Sequence, residues 1–275
     1  MSNPIVQTYS RLADQYDDDL NVRSCWGRAA DRALASIQPP AQYHSILDVG
    51  CGTGRALALL ASEGPRYCKF VGIDPADNMR HLAAARCNVF DNVRILSGSF
   101  ESIPADSACF DYLYSIFAFH WTTDLDRSVR ELARVLKPDG EMDLFFIGRN
   151  NGREFIQKTT PIFLKYLRPE GLLRTAQLRK QLTREAAFQL FAKAFDPSRL
   201  SVEETYETYY DSLEGHWGWW VRIEGHFVQL PSTSREACDR EVQAAIRGLD
   251  SPKGIPYTIH RLHVRFRRNE QHPLT

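Results

Sequence analysis

The chain has 275 residues, 43% of them apolar and 25% charged, the profile of a globular chain of one domain with additions. Lys+Arg and Asp+Glu balance at 34 each, and with no long basic run general nucleic-acid binding is without support. No stretch approaches the ~20 apolar residues of a membrane span and the N-terminus carries no apolar signal core, so the expectation is a soluble, cytoplasmic protein with no membrane partner.

In chain order, SILDVG (45–50) is a short apolar run ending in glycine, and RALALLASEG (55–64) has helical character. CKFVGID (68–74) is a second strand candidate and ADNMRHLAAAR (76–86) a second helix. NVRILSG (92–98) and FDYLYSIFAF (110–119) read as strands three and four. DLDRSVRELARVLKPDG (124–140) places Val129, Leu132, Val135 and Leu136 on one helical face and stops at the Pro138–Gly140 turn. EMDLFFIG (141–148) is a fifth strand. Strands alternating with helices of about ten residues predict an α/β fold with a parallel sheet covered on both faces.

After residue 150 the rhythm changes. EFIQKTTPIFLKYL (154–167) is an apolar helix broken at Pro161, and REAAFQLFAKAF (184–195) is another helix. LSVEETYETYY (200–210) has strand character, helices follow near 212–230 and 234–248, and YTIHRLHVRF (257–266) closes as a strand. The basic residues of RLHVRFRR (261–268) alternate with apolar ones, which reads first as a strand with one solvated face and second as a polyanion site. The expected division is a core over 1–150 with an N-terminal lid helix, a helical cap over 151–256 holding one strand near 200–210, and a last sheet strand over 257–268. Six cysteines without a CxxC pair suggest neither a disulfide framework nor a metal site.

LDVGCGTG (47–54) follows a predicted strand and opens a predicted helix. Gly50, Gly52 and Gly54 lack a Cβ, so the backbone can approach a ligand and point N–H groups at it. The spacing is GxGxG rather than the GxGxxG of dinucleotide dehydrogenases. Asp74 ends the second strand, where an acid can accept both hydroxyls of a ribose. Glycine turn and acid together favour a nucleoside ligand over a plain turn and a helix cap.

LDVGCGTG, GIDPADNM (72–79), GSFESIP (98–104), FDYLYSIFAFHW (110–121) and ELARVLKPDG (131–140) together resemble the class I S-adenosylmethionine-dependent methyltransferases, over roughly residues 9–150. That resemblance implies a Rossmann-like, mostly parallel seven-stranded sheet with helices on both faces and a helical cap, and S-adenosyl-L-methionine as cofactor. It further implies that the loop of Gly50, Gly52 and Gly54 cradles the methionine part and Asp48 holds the amino group. Asp74 would take the ribose, Pro75 and Met79 would flank the adenine, and Ser99 and Phe100 would contact it. Many relatives have aspartate where this chain has Ser99. Ser115 and Phe117 would face the methionine side. YSRLADQYD (9–17) is similar to the leading helix of small-molecule members, particularly the malonyl-carrier-protein methyltransferases, where Tyr9 and Tyr16 would close over the cofactor.

Methyl transfer from a sulfonium is an in-line displacement, so the protein must align the nucleophile and, for a hydroxyl or carbon acceptor, remove a proton. His120 in FAFHW (117–121), just past the fourth strand, is either that base or a residue shaping the pocket. In EGHWGWWVRIEGHF (214–227), a helix at ~100° per residue sets Trp217, Trp219 and Trp220 in one apolar arc, with Glu224 and His216 inside it. Those two polar residues are functional candidates or members of a core ion pair. The expected acceptor is a small molecule; a malonyl or acyl group on a carrier protein, and a non-methyl reaction such as cyclisation, are the alternatives.

Overall fold

The computed structural model describes residues 4–219, 230 and 232–268. Its centre is a seven-stranded sheet in the order β3-β2-β1-β4-β5-β7-β6. The strands are β1 (Ser45–Val49), β2 (Lys69–Asp74), β3 (Val93–Ser97), β4 (Phe110–Ile116), β5 (Leu136–Ile147), β6 (Leu200–Asp211) and β7 (Ile255–Phe266). The first five are parallel, and β7 enters antiparallel between β5 and β6. Strand order reverses between β1 and β4, which leaves a crevice outside their carboxyl ends.

The helices are α1 (Pro4–Tyr16), α2 (Asp19–Val22), α3 (Cys25–Ala35), α4 (Arg55–Glu63), α5 (Asp77–Cys87), α6 (Leu125–Val135), α7 (Arg153–Gln177), α8 (Arg184–Phe191), α9 (Leu213–Trp219) and α10 (Ser232–Arg247). Successive side chains of β1 split between the two faces, as pleating requires. Leu47 and Val49 join Leu132, Val135 and Phe191 of α6 and α8 in one apolar layer. Ile46 joins Ala33, Leu57 and Leu60 of α3 and α4 in the other. A third cluster packs Phe155 and Phe163 of α7 and Val242 and Ile246 of α10 against Tyr257 and Ile259 of β7, with Trp26 and Phe117 at its margin. Through those two rings the cluster reaches the crevice.

Three expected boundaries move. The helix expected over 124–140 ends at Val135, because Leu136 already pairs with Phe110 in the sheet. Lys137–Gly140 fall between the Phe110–Leu136 and Tyr112–Glu141 pairs, a bulge in which Pro138 costs no ladder bond. The break expected at Pro161 lies instead at Arg168, whose φ of 58° precedes Pro169. A residue before proline is driven out of the α region, so the second proline decides the geometry. β4 stops at Ile116 rather than running to Phe119, and Phe119–Trp121 form a 3₁₀ turn over the crevice. Helix α3, unforeseen in the sequence, starts at Ser24, whose hydroxyl accepts from the Gly27 amide.

Four basic residues of the stretch 261–268 meet acids. Arg267 and His263 meet the buried Asp143, Arg265 meets Glu203, and Arg268 meets Asp139. The expected strand is present but ends at Phe266, between β5 and β6, and in place of a solvated face it has His263 buried and Arg261 and Arg265 half-buried. No helix among the described residues is long and apolar enough to cross a membrane.

Candidate functional site

The turn from β1 into α4 runs through three glycines with φ of 77°, 53° and 76°, a region L side chains rarely enter. The amides of Gly50 and Cys51 both donate to Ile73 O, at 2.8 and 3.0 Å, so the loop folds across the end of β2. A Cβ on Gly50 would stand 2.3 Å from the Ala118 methyl, whereas one on Gly52 would meet nothing within 4 Å. Gly52 therefore faces the open crevice. Asp74 Oδ2 accepts from the Gly52 amide at 3.0 Å and Oδ1 from the Ala76 amide at 2.8 Å, fixing the carboxylate at the crevice edge.

The crevice has two lobes that meet at Gly50, Gly52, Ile116 and Phe117 beneath the rings of Tyr9 and Tyr16. The larger, a cavity of about 400 Å³, is walled by Asp74, Pro75, Met79, Ser99 and Phe100. The smaller, about 170 Å³, is walled by Asp48, Thr53, Trp26, His120, Ile147 and Arg179. Tyr9 contacts Tyr16 and Trp121 edge-on, both at 6.0 Å, so α1 and the 3₁₀ turn close the crevice together. Phe117 carries a φ of 54° and packs edge-on to Trp26 at 6.4 Å. Left-handed backbone at a bulky residue is strained and is found where a site demands it.

Not every expected residue lies there. Gly54 does not line the crevice; its missing Cβ lets α4 approach Ala83 of α5, where an added carbon would sit 2.9 Å from that residue's backbone. Ser115 is fully buried in the sheet and lines neither lobe, because strand alternation gives the crevice to its neighbour Ile116. His216 is set back in the third core cluster, between Phe155 at 5.8 Å and Tyr257 at 5.7 Å, and lines neither lobe. Burial lowers its pKa to about 4. Glu224 and Trp220 lie outside the described residues. The other expected cofactor residues, Tyr9, Tyr16, Asp48, Gly50, Gly52, Asp74, Pro75, Met79, Ser99, Phe100 and Phe117, all line the crevice.

Residues 47–143 match the family described as "Methyltransferase domain". The matched region begins in β1, just before the glycine turn, and ends in β5. It is a class I, S-adenosylmethionine-dependent methyltransferase domain. The chain is 32% identical over 158 residues to a malonyl-[acyl-carrier protein] O-methyltransferase of Methylovorus sp., covering 54% of this chain and 52% of that one, so the chain spans about half the length of that relative. It is 27% identical over 210 residues to the demethylmenaquinone methyltransferase of Tropheryma whipplei, covering 74% and 77%. The fold is shared with the YcgJ protein of Bacillus subtilis, at a TM-score of 0.58 and 18% identity over 88% of this chain and 99% of that one.

The electrostatics of this methyltransferase domain separate its buried groups. Burial drives Asp48 up to about 7, with Tyr114 opposing and Asp74 adding to the rise. Burial also raises Asp74, held back by the amides of Ala76 and Gly52 and by Arg80. His120 falls well below 6.5 through burial and then the nearby Arg179 charge, so its imidazole is neutral at physiological pH. Its Nδ1 has no hydrogen-bond partner among the described residues, while its carbonyl accepts from the Lys180 amide at 2.7 Å.

Several wall residues carried no sequence signal. Glu101 lines the larger lobe and accepts from Thr122 and Thr123, which hold it at about 2 against its burial and pin the loop after the 3₁₀ turn. Asn21, Trp26 and Arg179 line the smaller lobe from α2, α3 and the segment after α7. The Arg179 guanidinium lies 4.9 Å over the Trp121 ring. Aromatic residues in FAFHW and a tryptophan in α3 could have hinted at a wall, but only tertiary contact joins them. The free thiols of all six cysteines stand apart from disulfide chemistry.

Proposed function

We propose that the protein transfers the methyl group of S-adenosylmethionine to a small-molecule acceptor held in the smaller lobe. The two-lobed crevice carries this reading: one lobe suits a nucleoside, the other is aromatic, and they meet at the glycine loop. The bound cofactor supplies an electrophilic methyl on a sulfonium. Asp74 accepts the ribose hydroxyls, Phe100, Met79 and Pro75 form the adenine slot with Ser99 at its edge, and Asp48 faces the amino group. The donors and cavities present fit that cofactor, with Gly52 open to the crevice.

Trp26, Phe117 and Trp121 give the acceptor planar apolar walls. Alignment alone suffices for an amine or carboxylate. A hydroxyl or carbon acceptor needs a proton acceptor, and His120 supplies the lone pair of a neutral imidazole. Its lowered pKa makes it a weak base, suited to acceptors that are themselves acidic, such as phenols and enols. The segment 151–256 supplies part of the acceptor side, and six free cysteines accord with a cytoplasmic setting.

A second reading is carboxyl O-methylation of a malonyl or acyl group on a carrier protein, favoured by the 32% identity to a malonyl-[acyl-carrier protein] O-methyltransferase. Incubation with methyl-labelled S-adenosylmethionine and fractionated small-molecule or acyl-carrier substrates tests both. Labelled product with S-adenosylhomocysteine is expected; methylthioadenosine in its place would replace methyl transfer by another reaction of the sulfonium.

A further inference from the structure

Resting on the cofactor reading above, we propose that Arg86 is a positioning residue that ties the covering helix α1 to the glycine loop and thereby sets how long the cofactor stays bound. Arg86 stands in the last turn of α5. One guanidinium nitrogen donates to Thr53 O at 2.8 Å and Thr53 Oγ1 at 2.9 Å. The other donates to Asp17 Oδ2 at 2.6 Å. Thr53 is buried between Gly52 and Gly54 and lines the smaller lobe. Asp17 directly follows Tyr16, the last residue of α1, whose ring spans both lobes. A planar, permanently charged fork thus joins the floor of the crevice to its roof.

The rest of α5 gives this tie its leverage. Asn78, near the start of α5, donates to Ser10 O at 2.8 Å, so α1 is held at a second point one turn and a half before Tyr16. At the floor, α5 is fixed by the close approach of Ala83 to Gly54. The two ties to α1 differ in kind. The Ser10 contact is neutral, whereas the Arg86–Asp17 pair is charged and partly exposed, with side chains 35% and 30% accessible. Salt screens such a pair and its net strength is modest, which suits a contact that opens each time the cofactor is exchanged. The bonds from Arg86 to Thr53 persist when the outer one breaks, so the loop stays formed while the roof lifts.

The test is stopped-flow tryptophan fluorescence of S-adenosylhomocysteine binding to the whole protein and to Asp17→Asn, with Arg86→Lys as a second variant. Asp17→Asn leaves both Thr53 bonds in place, so the glycine loop and the fold are retained. It should raise the dissociation rate roughly threefold to fivefold with the association rate little changed. Wild-type dissociation should quicken between about 0.05 and 0.5 M salt, and that of Asp17→Asn should not. Arg86→Lys, which cannot fork to both partners, should also dissociate faster. Wild-type rates and wild-type salt dependence in Asp17→Asn would overturn the tie alone. Failure of the wild type to bind S-adenosylhomocysteine at all would overturn the cofactor reading and this inference with it.

Discussion

Asp48 and Asp74 are both buried acids in one crevice, and their surroundings differ. Asp74 is met by two backbone amides, which fix its carboxylate at the crevice edge. Asp74→Ala removes charge-assisted hydrogen bonds of about 1.5–3 kcal/mol, so S-adenosylhomocysteine affinity should fall roughly tenfold to hundredfold in calorimetric titration. Asp48, raised to about 7 by burial, is protonated in the free protein at mild acid pH. An ammonium group favours its ionised form, so binding expels that proton. Affinity should therefore climb as pH rises to about 7 and then level off, and Asp48→Asn should flatten the profile. The places of both acids along the crevice were legible in the sequence, because their positions at strand ends are set by local pattern. Ser115 and Gly54 were misplaced. Strand phase assigns Ser115 to the sheet interior, and the tertiary packing of α4 on α5 claims Gly54.

At the scale of elements, the glycine loop and the β5–β7 pair carry the architecture. Gly50→Ala would force a Cβ onto Ala118 at a φ of 77°, and strain of about 1–3 kcal/mol should appear as a lower melting temperature together with weakened cofactor binding. The strands β5 and β7 are joined by a buried polar group. Asp143 accepts from His263 Nε2 at 2.6 Å and from Arg267 at 2.7 and 2.8 Å, and the Tyr112 hydroxyl donates to it as well. Burial alone would raise its pKa, but His263 and Arg267 more than offset that and hold it below 3.8. A depressed carboxylate stabilises above its unfolded pKa and loses that contribution as pH falls through the folded one. Burial likewise lowers His263 despite the opposing Asp143, so its contribution is complete above 6.5 and is lost at lower pH in the same direction. Asp143→Asn should cost about 3–5 kcal/mol in denaturant melts and shrink the loss of stability on acidification. The alternating run of 261–268 revealed the strand but not this network, since its acid sits 120 residues upstream of His263.

For the whole molecule, the cofactor half was readable because each βα unit encodes its own strand, turn and helix. The smaller lobe was not, because its walls come from α1, α2, α3, the 3₁₀ turn and the segment after α7, brought together only by folding. In the aromatic stretch of 214–227, His216 packs between Phe155 and Tyr257, away from both lobes. Trp26 of α3 lines the smaller lobe instead. Binding of a ligand to the folded state alone stabilises by about 2.7 kcal/mol at a hundredfold excess over Kd. The most direct measurement is isothermal titration of the whole protein with S-adenosylhomocysteine and, in parallel, with NAD, backed by thermal melts of the same mixtures. One equivalent of S-adenosylhomocysteine should bind and raise the melting temperature by several degrees, with no response to NAD. Binding of NAD with indifference to S-adenosylhomocysteine would contradict the account.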